Sequence, residues 1–225
     1  MTTSAPLPYS PRELSYREIR DEDIYTFHSP KHAMRRVRVA HIATYMLALV
    51  LEFDSNVECY VERPRVLNCD GDIYEFAFWY RERSGREYLP LLVPNSATTP
   101  ASSGRRQHCQ SEKIFAAAEQ AHLPLKFEFE SELLLRATEL SSWHQLLPSV
   151  QLAFLMPHRF ELRRRIIDVA KGLGRIRASQ IASALEGYPR SDVGCVIGDL
   201  IHAGLLTISK QVVFSWNAVC EVAQS

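Results

Sequence analysis

Ser191, Asp192, Cys195 and His202 bring a hydroxyl, a carboxylate, a thiol and an imidazole into one short stretch near the C-terminus. A serine or cysteine nucleophile needs a base within hydrogen-bond reach and a third group to orient that base. His202 stands in no motif that supplies either role, so a structural or solvated histidine is expected. His28 and His32 have the i, i+4 spacing of a helical zinc pair, but Ser29-Pro30 reads as a helix start and leaves His28 outside the helix. Gly172-Leu173-Gly174 follows a predicted helix and lacks both the preceding strand and the third glycine of a phosphate loop. Nucleophilic, zinc and nucleotide chemistry all lack a motif here.

Arginines form the more informative pattern. Arg163, Arg164 and Arg165 with Arg175 and Arg177 could neutralise phosphates, Arg190 opens a predicted helix of the kind that enters a major groove, and Lys210 lies beyond it. From Glu161 to Lys210 there are eight Lys/Arg against five Asp/Glu, although the whole chain carries a formal charge of zero. The competing reading is a solvated helix face with ion pairs to Glu161 or Asp168. Both readings stand for this cluster, whereas a solvated face is expected for Arg35, Arg36 and Arg38.

Those residues must be carried by a globular chain. With 225 residues, 46% of them hydrophobic, one sizeable core and a smaller second one can form. The five cysteines are odd in number and not closely paired, which points to free thiols. No apolar run reaches membrane-spanning length and no leader pattern opens the chain, so a cytoplasmic protein without a membrane partner is expected.

Met1–Pro11 is rich in Pro, Ser and Thr and reads as an arm, with Tyr9 as its anchor. The apolar run Val37–Leu51 predicts one helix from about His32 to Phe53. Strands are predicted at Val57–Val61, Arg65–Cys69, Ile73–Arg81, Glu87–Val93 and Leu125–Glu130, with Cys69-Asp70-Gly71-Asp72 as a hairpin turn and Asn95–Arg106 as a loop. Helices are predicted at Glu112–His122, in two stretches of Glu132–Phe154, and at Phe160–Gly172, Arg177–Leu185 and Ser191–Ala203. The last stops at Gly204, after which Leu205–Ile208 and Val212–Ser215 read as a hairpin. Three helices and a hairpin follow the order of a winged helix-turn-helix.

Leu51-Glu52-Phe53-Asp54, Pro64-Arg65, Asp70-Gly71, Tyr74-x-x-x-Phe78, Leu89…Pro94 and Phe129-x-x-Glu132 resemble the endonuclease subunit of heteromeric transposases, the TnsA-like proteins, over roughly His28 to Ser225. The resemblance implies an α/β (α+β) architecture: a restriction-endonuclease-like mixed sheet flanked by helices over residues 28–154, after an arm of residues 1–27, and a winged-helix domain over 155–225. It also implies that the family's catalytic positions have changed. The strand that carries the first acid stands here as Tyr74-Glu75-Phe76-Ala77-Phe78, the Val-Glu-Val-Lys-Pro strand as Pro90-Leu91-Leu92-Val93-Pro94, and the helical Glu falls on Ala43.

Ala43, Ala77, Leu91 and Val93 cannot ligate a hard cation, which takes oxygen ligands. Glu75, Glu52 and Glu87 are the carboxylates that could substitute, and no lysine lies between Lys31 and Lys113. The leading expectation is therefore a catalytically inactive TnsA-like component of a transposition complex, without cofactor. Its implied partners are double-stranded DNA of a transposon end or target, a DDE transposase and an AAA+ ATPase regulator. Two alternatives stay open: an active endonuclease with a relocated Mg²⁺ site, and a winged-helix DNA-binding regulator whose N-terminal domain dimerises.

Overall fold

The computed structural model describes residues 7–100, 106–209, 211 and 213–223. It is a mixed α/β chain that divides into two compact units, each assembled from separated segments. The first takes the chain up to Phe27, then Val37–Leu47 and Asn56–Leu135; the second takes His28–Arg36, Ala48–Ser55 and everything from Arg136. The described residues up to Phe27 group with the first unit, and the second unit takes up the chain from Arg136.

In that unit, Ser15 and Glu18 cap a short helix α1 (Tyr16–Asp21) reciprocally: the Ser15 hydroxyl accepts from the Glu18 N–H at 3.2 Å, and the Ser15 N–H donates to Glu18 Oε2 at 2.8 Å. Upstream, Tyr9 lays its ring 5.8 Å from that of Trp79. Strands β1 (Ile24–Ser29) and β2 (Arg35–Ala40) pair, so the first part of the expected His32–Phe53 helix is a strand. Val37 and Val39 are both fully buried on alternate positions, a period that the continuous apolar run concealed. His41, at φ +67°, then turns the chain into helix α2 (Ile42–Phe53), which contributes residues to both units.

Strands β3 (Val57–Glu62), β4 (Val66–Cys69), β5 (Asp72–Glu75), β6 (Phe78–Glu82) and β7 (Glu87–Val93) follow. Asp70 and Gly71, at φ +51° and +92°, make the tight β4–β5 turn. The single strand expected over Ile73–Arg81 is broken at Phe76-Ala77, because the chain leaves β4 and joins β3: the Phe76 N–H donates to Arg65 O and the Ala77 N–H to Pro90 O. Where a loop was expected, β8 (Thr98–Pro100) and β9 (Arg106–His108) pair. Helix α3 (Ser111–Gln120), strand β10 (Leu125–Phe129) and helix α4 (Glu130–Leu135) complete the unit.

The main sheet runs β10-β7-β6-β3, antiparallel except for the parallel β7–β10 pair that α3 connects. One face carries the core of Val61, Phe76, Trp79, Leu89, Leu91 and Ile114.

The second unit contains helices α5 (Ala137–Phe154) and α6 (Arg159–Leu173), strand β11 (Ile176–Arg177), helices α7 (Ala178–Ala184) and α8 (Arg190–His202), and strands β12 (Leu206–Ile208) and β13 (Val219–Val222). The return strand is Val219–Val222 rather than Val212–Ser215; Val212 lies outside the described residues, and Phe214 instead donates its N–H to the Ser142 hydroxyl at 3.0 Å. The three strands form an antiparallel sheet in the order β11-β13-β12. No helix among the described residues is long and apolar enough to cross a membrane.

Gly204 ends α8 at φ +71°, and a β-carbon placed there would stand 2.6 Å from the Ser55 β-carbon. Both effects oppose a side chain, so Gly204→Ala should lower the stability of the second unit by more than ~1 kcal/mol, read as a shifted denaturation midpoint at unchanged slope.

Candidate functional site

A cavity of about 410 Å³ opens in the first unit between α1, the start of α2 and the end of β7. Its floor is set by the break between β5 and β6, which turns Glu75 and Ala77 towards it. Opposite, Arg63 follows β3 with φ +51°, a left-handed backbone that a bulky residue adopts only where its surroundings impose it. Two backbone bonds impose it: the Arg63 N–H donates to Ala77 O at 2.9 Å, and Arg63 O accepts from the Arg12 N–H at 3.3 Å.

The Arg63 side chain is only 9% exposed and stands between two carboxylates. Its Nε donates to Glu75 Oε1 at 2.6 Å, and its Nη2 reaches Glu75 Oε2 and Glu18 Oε2, both at 3.3 Å. Nη1 lies 3.1 Å from Glu18 Oε1 as an ion pair, but off hydrogen-bond geometry, so this buried nitrogen makes no hydrogen bond. Arg12 stands 3.6 Å from Glu75 on the other side. Burial pushes the Glu18 carboxyl up, yet the Ser15 hydroxyl and N–H and the Arg63 guanidinium together outweigh burial and hold it below its ordinary value.

Of the four positions that the resemblance marks, Ala43 and Ala77 line this cavity and Leu91 and Val93 do not. Side chains along a strand alternate between faces, and it is Leu92 of β7 and Pro94 just after it that meet the cavity while Leu91 joins the core. The three candidate replacement carboxylates are also dispersed. Glu75 is bound to arginine, Glu87 accepts from Trp79 Nε1 at 3.1 Å, and Glu52 is fully buried in the second unit. Glu130, at the start of α4, borders the cavity and accepts from the Asn95 N–H at 3.0 Å. Among the described residues no three His, Cys, Asp or Glu side chains group as metal ligands would.

In the second unit the basic residues are largely engaged. Asp199, 1% exposed, receives both arms of Arg159 at 2.8 and 2.7 Å and faces Arg163 at 3.5 Å. Arg165 holds Glu161 through two nitrogens at 3.1 and 2.8 Å, and Arg175 pairs with Glu221. Arg190 lies over the Trp216 ring at 4.3 Å. Arg164 and Arg177 are exposed, and Lys210 is outside the described residues. Helix α8 buries Val193 and every residue from Cys195 to His202, so only its first turn is open.

No nucleophilic triad forms from the residues near the C-terminus. The Ser191 hydroxyl donates to Asp192, Asp192 faces His158 at 3.1 Å, and burial pushes the Cys195 thiol up, away from the reactive thiolate. His202 is bound at 2.8 Å to Glu52, which also accepts from the Ser29 hydroxyl at 2.6 Å and the Lys31 N–H at 3.2 Å. In that group the carboxylate sits between hydroxyl and imidazole, the wrong order for activating a serine. Arg63, Glu18 and Arg159 were not singled out from the sequence; only Ser15-x-x-Glu18, a capping-box spacing, offered a signal.

No family model matches the chain, and no curated protein matches it either.

Two expectations follow from the geometry. Leu91→Glu places a carboxylate in the core and should cost several kcal/mol, abolishing a cooperative melt of the first unit, whereas Ala77→Asp opens on the cavity and should cost about 1 kcal/mol. Glu18 titrates with a folded value below 4.5, so its contribution to holding α1 is complete above pH 4.5 and is lost as pH falls through that lower value. The amide resonances of residues 15–21 should therefore move below pH 4.5 ahead of global unfolding and stay constant from pH 8 to 6.

Proposed function

We propose that the chain is a non-catalytic relative of the TnsA-like endonuclease subunits, acting in a transposition complex through protein docking rather than DNA cleavage. The order of strands and helices in the first unit, with its antiparallel strands closed by a parallel one, supports a restriction-endonuclease-like reading. The helix–strand–helix–helix–strand–strand order of α6 to β13 supports a winged helix.

One observation carries the loss of chemistry. The guanidinium of Arg63 lies between Glu18 and Glu75 beside Ala43 and Ala77. A metal-dependent nuclease needs free carboxylate oxygens for its cation. Here Glu75, the carboxylate best placed to serve, already has a fixed positive charge at 2.6 Å. Arginine stays protonated and is a poor proton-transfer group, so it does not replace the missing lysine in preparing water.

Protein docking is favoured over DNA reading by the state of α8. A recognition helix offers a row of side chains to base edges, and this one offers Arg190 and Ser191 before it is covered. Arg163, Arg165 and Arg175 are engaged with acidic groups of their own unit, which weakens them as phosphate contacts. The proposed partners are a DDE transposase and an AAA+ ATPase regulator, with DNA reached chiefly through them.

The full chain should leave supercoiled plasmid intact in Mg²⁺ or Mn²⁺, and should co-elute with the transposase or the regulator on gel filtration. Duplex binding measured by anisotropy should be weak, salt-sensitive and little changed by Arg164→Ala with Arg165→Ala. Metal-dependent nicking that disappears in Glu75→Ala would overturn the non-catalytic reading. Failure to co-elute with either partner would remove the transposition role.

A further inference from the structure

The Arg63 site is only half satisfied, and the deficient half is the one that faces α1. Glu75 meets Nε at 2.6 Å, close to the ideal for a charged pair. Glu18 does worse: its contacts with the guanidinium are 3.1 and 3.3 Å, and Nη1 makes no hydrogen bond. The reason is visible in the capping box. Glu18 Oε2 already accepts from the Ser15 N–H at 2.8 Å and the Ser15 hydroxyl at 2.5 Å, so the carboxylate cannot turn to face the arginine fork squarely. A carboxylate without those ties could accept from both terminal nitrogens, one through each oxygen.

Helix α1 is also cheap to displace. None of its residues is buried, and Tyr16 and Ile19 are 79% and 42% exposed, so little apolar area is lost when it moves. Its flanks are anchored separately: Leu14 is buried before it, and Asp23 O accepts from the His41 N–H after it. Between those points residues 15–22 are tied to the rest of the unit through the Glu18–Arg63 pair and a Glu22–His41 contact of 3.1 Å.

We propose that Arg63 is an anion-binding residue and that Glu18 is its internal stand-in, displaced when a ligand carrying one carboxylate on a short apolar body enters the cavity. The apolar body is required by the walls, where Leu14, Ala40, Ala43, Ala77, Leu92 and Pro94 surround the arginine. The single charge is required by Glu75 and Glu130, which border the cavity and repel a phosphate dianion more than a carboxylate. A free small acid and the carboxylate at the end of a peptide share this chemistry. None of this depends on a transposition role.

The test titrates the full chain, wild type and Glu18→Gln, with sodium butyrate, butyramide, inorganic phosphate and acetyl-Ala-Leu bearing a free C-terminal carboxylate, followed by the amide resonances of residues 15–22. Butyrate or the peptide should bind saturably, with Glu18→Gln tightening it about tenfold by removing the competitor. Butyramide should not bind. Tighter binding of the peptide assigns the ligand to a chain end, and equal or tighter binding of butyrate assigns it to a free acid; either outcome supports the site. Arg63→Lys in the Glu18→Gln background should lose the binding, while circular dichroism confirms folding. No saturable carboxylate binding to Glu18→Gln, equal affinity in both chains, or phosphate binding more tightly than butyrate would each overturn the proposal.

Discussion

A carboxylate with no exposed surface is tolerated in a fold only if its oxygens are met, and Glu52 sets that condition for the second unit. Its partners are the Ser29 hydroxyl, the Lys31 N–H and His202. Glu52 lies in Ala48–Ser55, and its partners come from the other two stretches of this unit, His28–Arg36 and the chain from Arg136. One buried acid thus joins all three stretches of the unit. Removing one member of such a group commonly costs about 3–5 kcal/mol, because the others are left buried without a partner. The adjacent Phe53 stacks on Trp143 at 5.4 Å and meets His202 edge-on, which keeps water from the group.

The same rule governs α8. Asp199 is buried and requires Arg159, which places α6 against the middle of the helix. Gly194 and Gly198 stand one turn apart, and close approaches occupy the space that side chains there would need: Trp216 near Gly194, and Leu146, Ser149 and Val150 of α5 near Gly198. A helix that reads DNA carries long polar side chains on its outer face. Here two glycines admit neighbouring groups instead. Packing and charge therefore act together to make α8 an internal strut, with Arg159 and Arg163 held against it by Asp199.

Much of the architecture was legible in the sequence because its signals are local. Glu87–Val93 is a strand over its full expected length, the Asp70-Gly71 turn forms, and α3, α6, α7 and α8 begin and end within two residues of expectation. The failures share a cause. The strand Arg35–Ala40 was hidden because Val37 and Val39 merge with the apolar face of α2, and the break at Phe76-Ala77 depends on which neighbour each half pairs with. The return strand Val219–Val222 likewise depends on where the chain comes back to β12. Arg63 was invisible for a stronger reason: its left-handed backbone is imposed by Ala77 and Arg12, neither adjacent to it in sequence.

The residues Leu91 and Val93 show how strictly a strand limits what a site can become. A one-position change of register exchanges the two faces of β7, so a carboxylate facing the cavity must stand at 92 or 94 rather than 91 or 93. Leu91 and Val93, 5% and 0% exposed, now bear on the stability of the sheet, and a charge at either would be left without water or a partner. The cavity meanwhile keeps Ala43 and Ala77 as open wall beside the charges of Glu18, Glu75 and Arg63. Building a metal site here would require acids on the other face of β7 and release of Glu75 from arginine at the same time. Neither change alone produces a ligand set, which separates this site from a nuclease by more than one substitution.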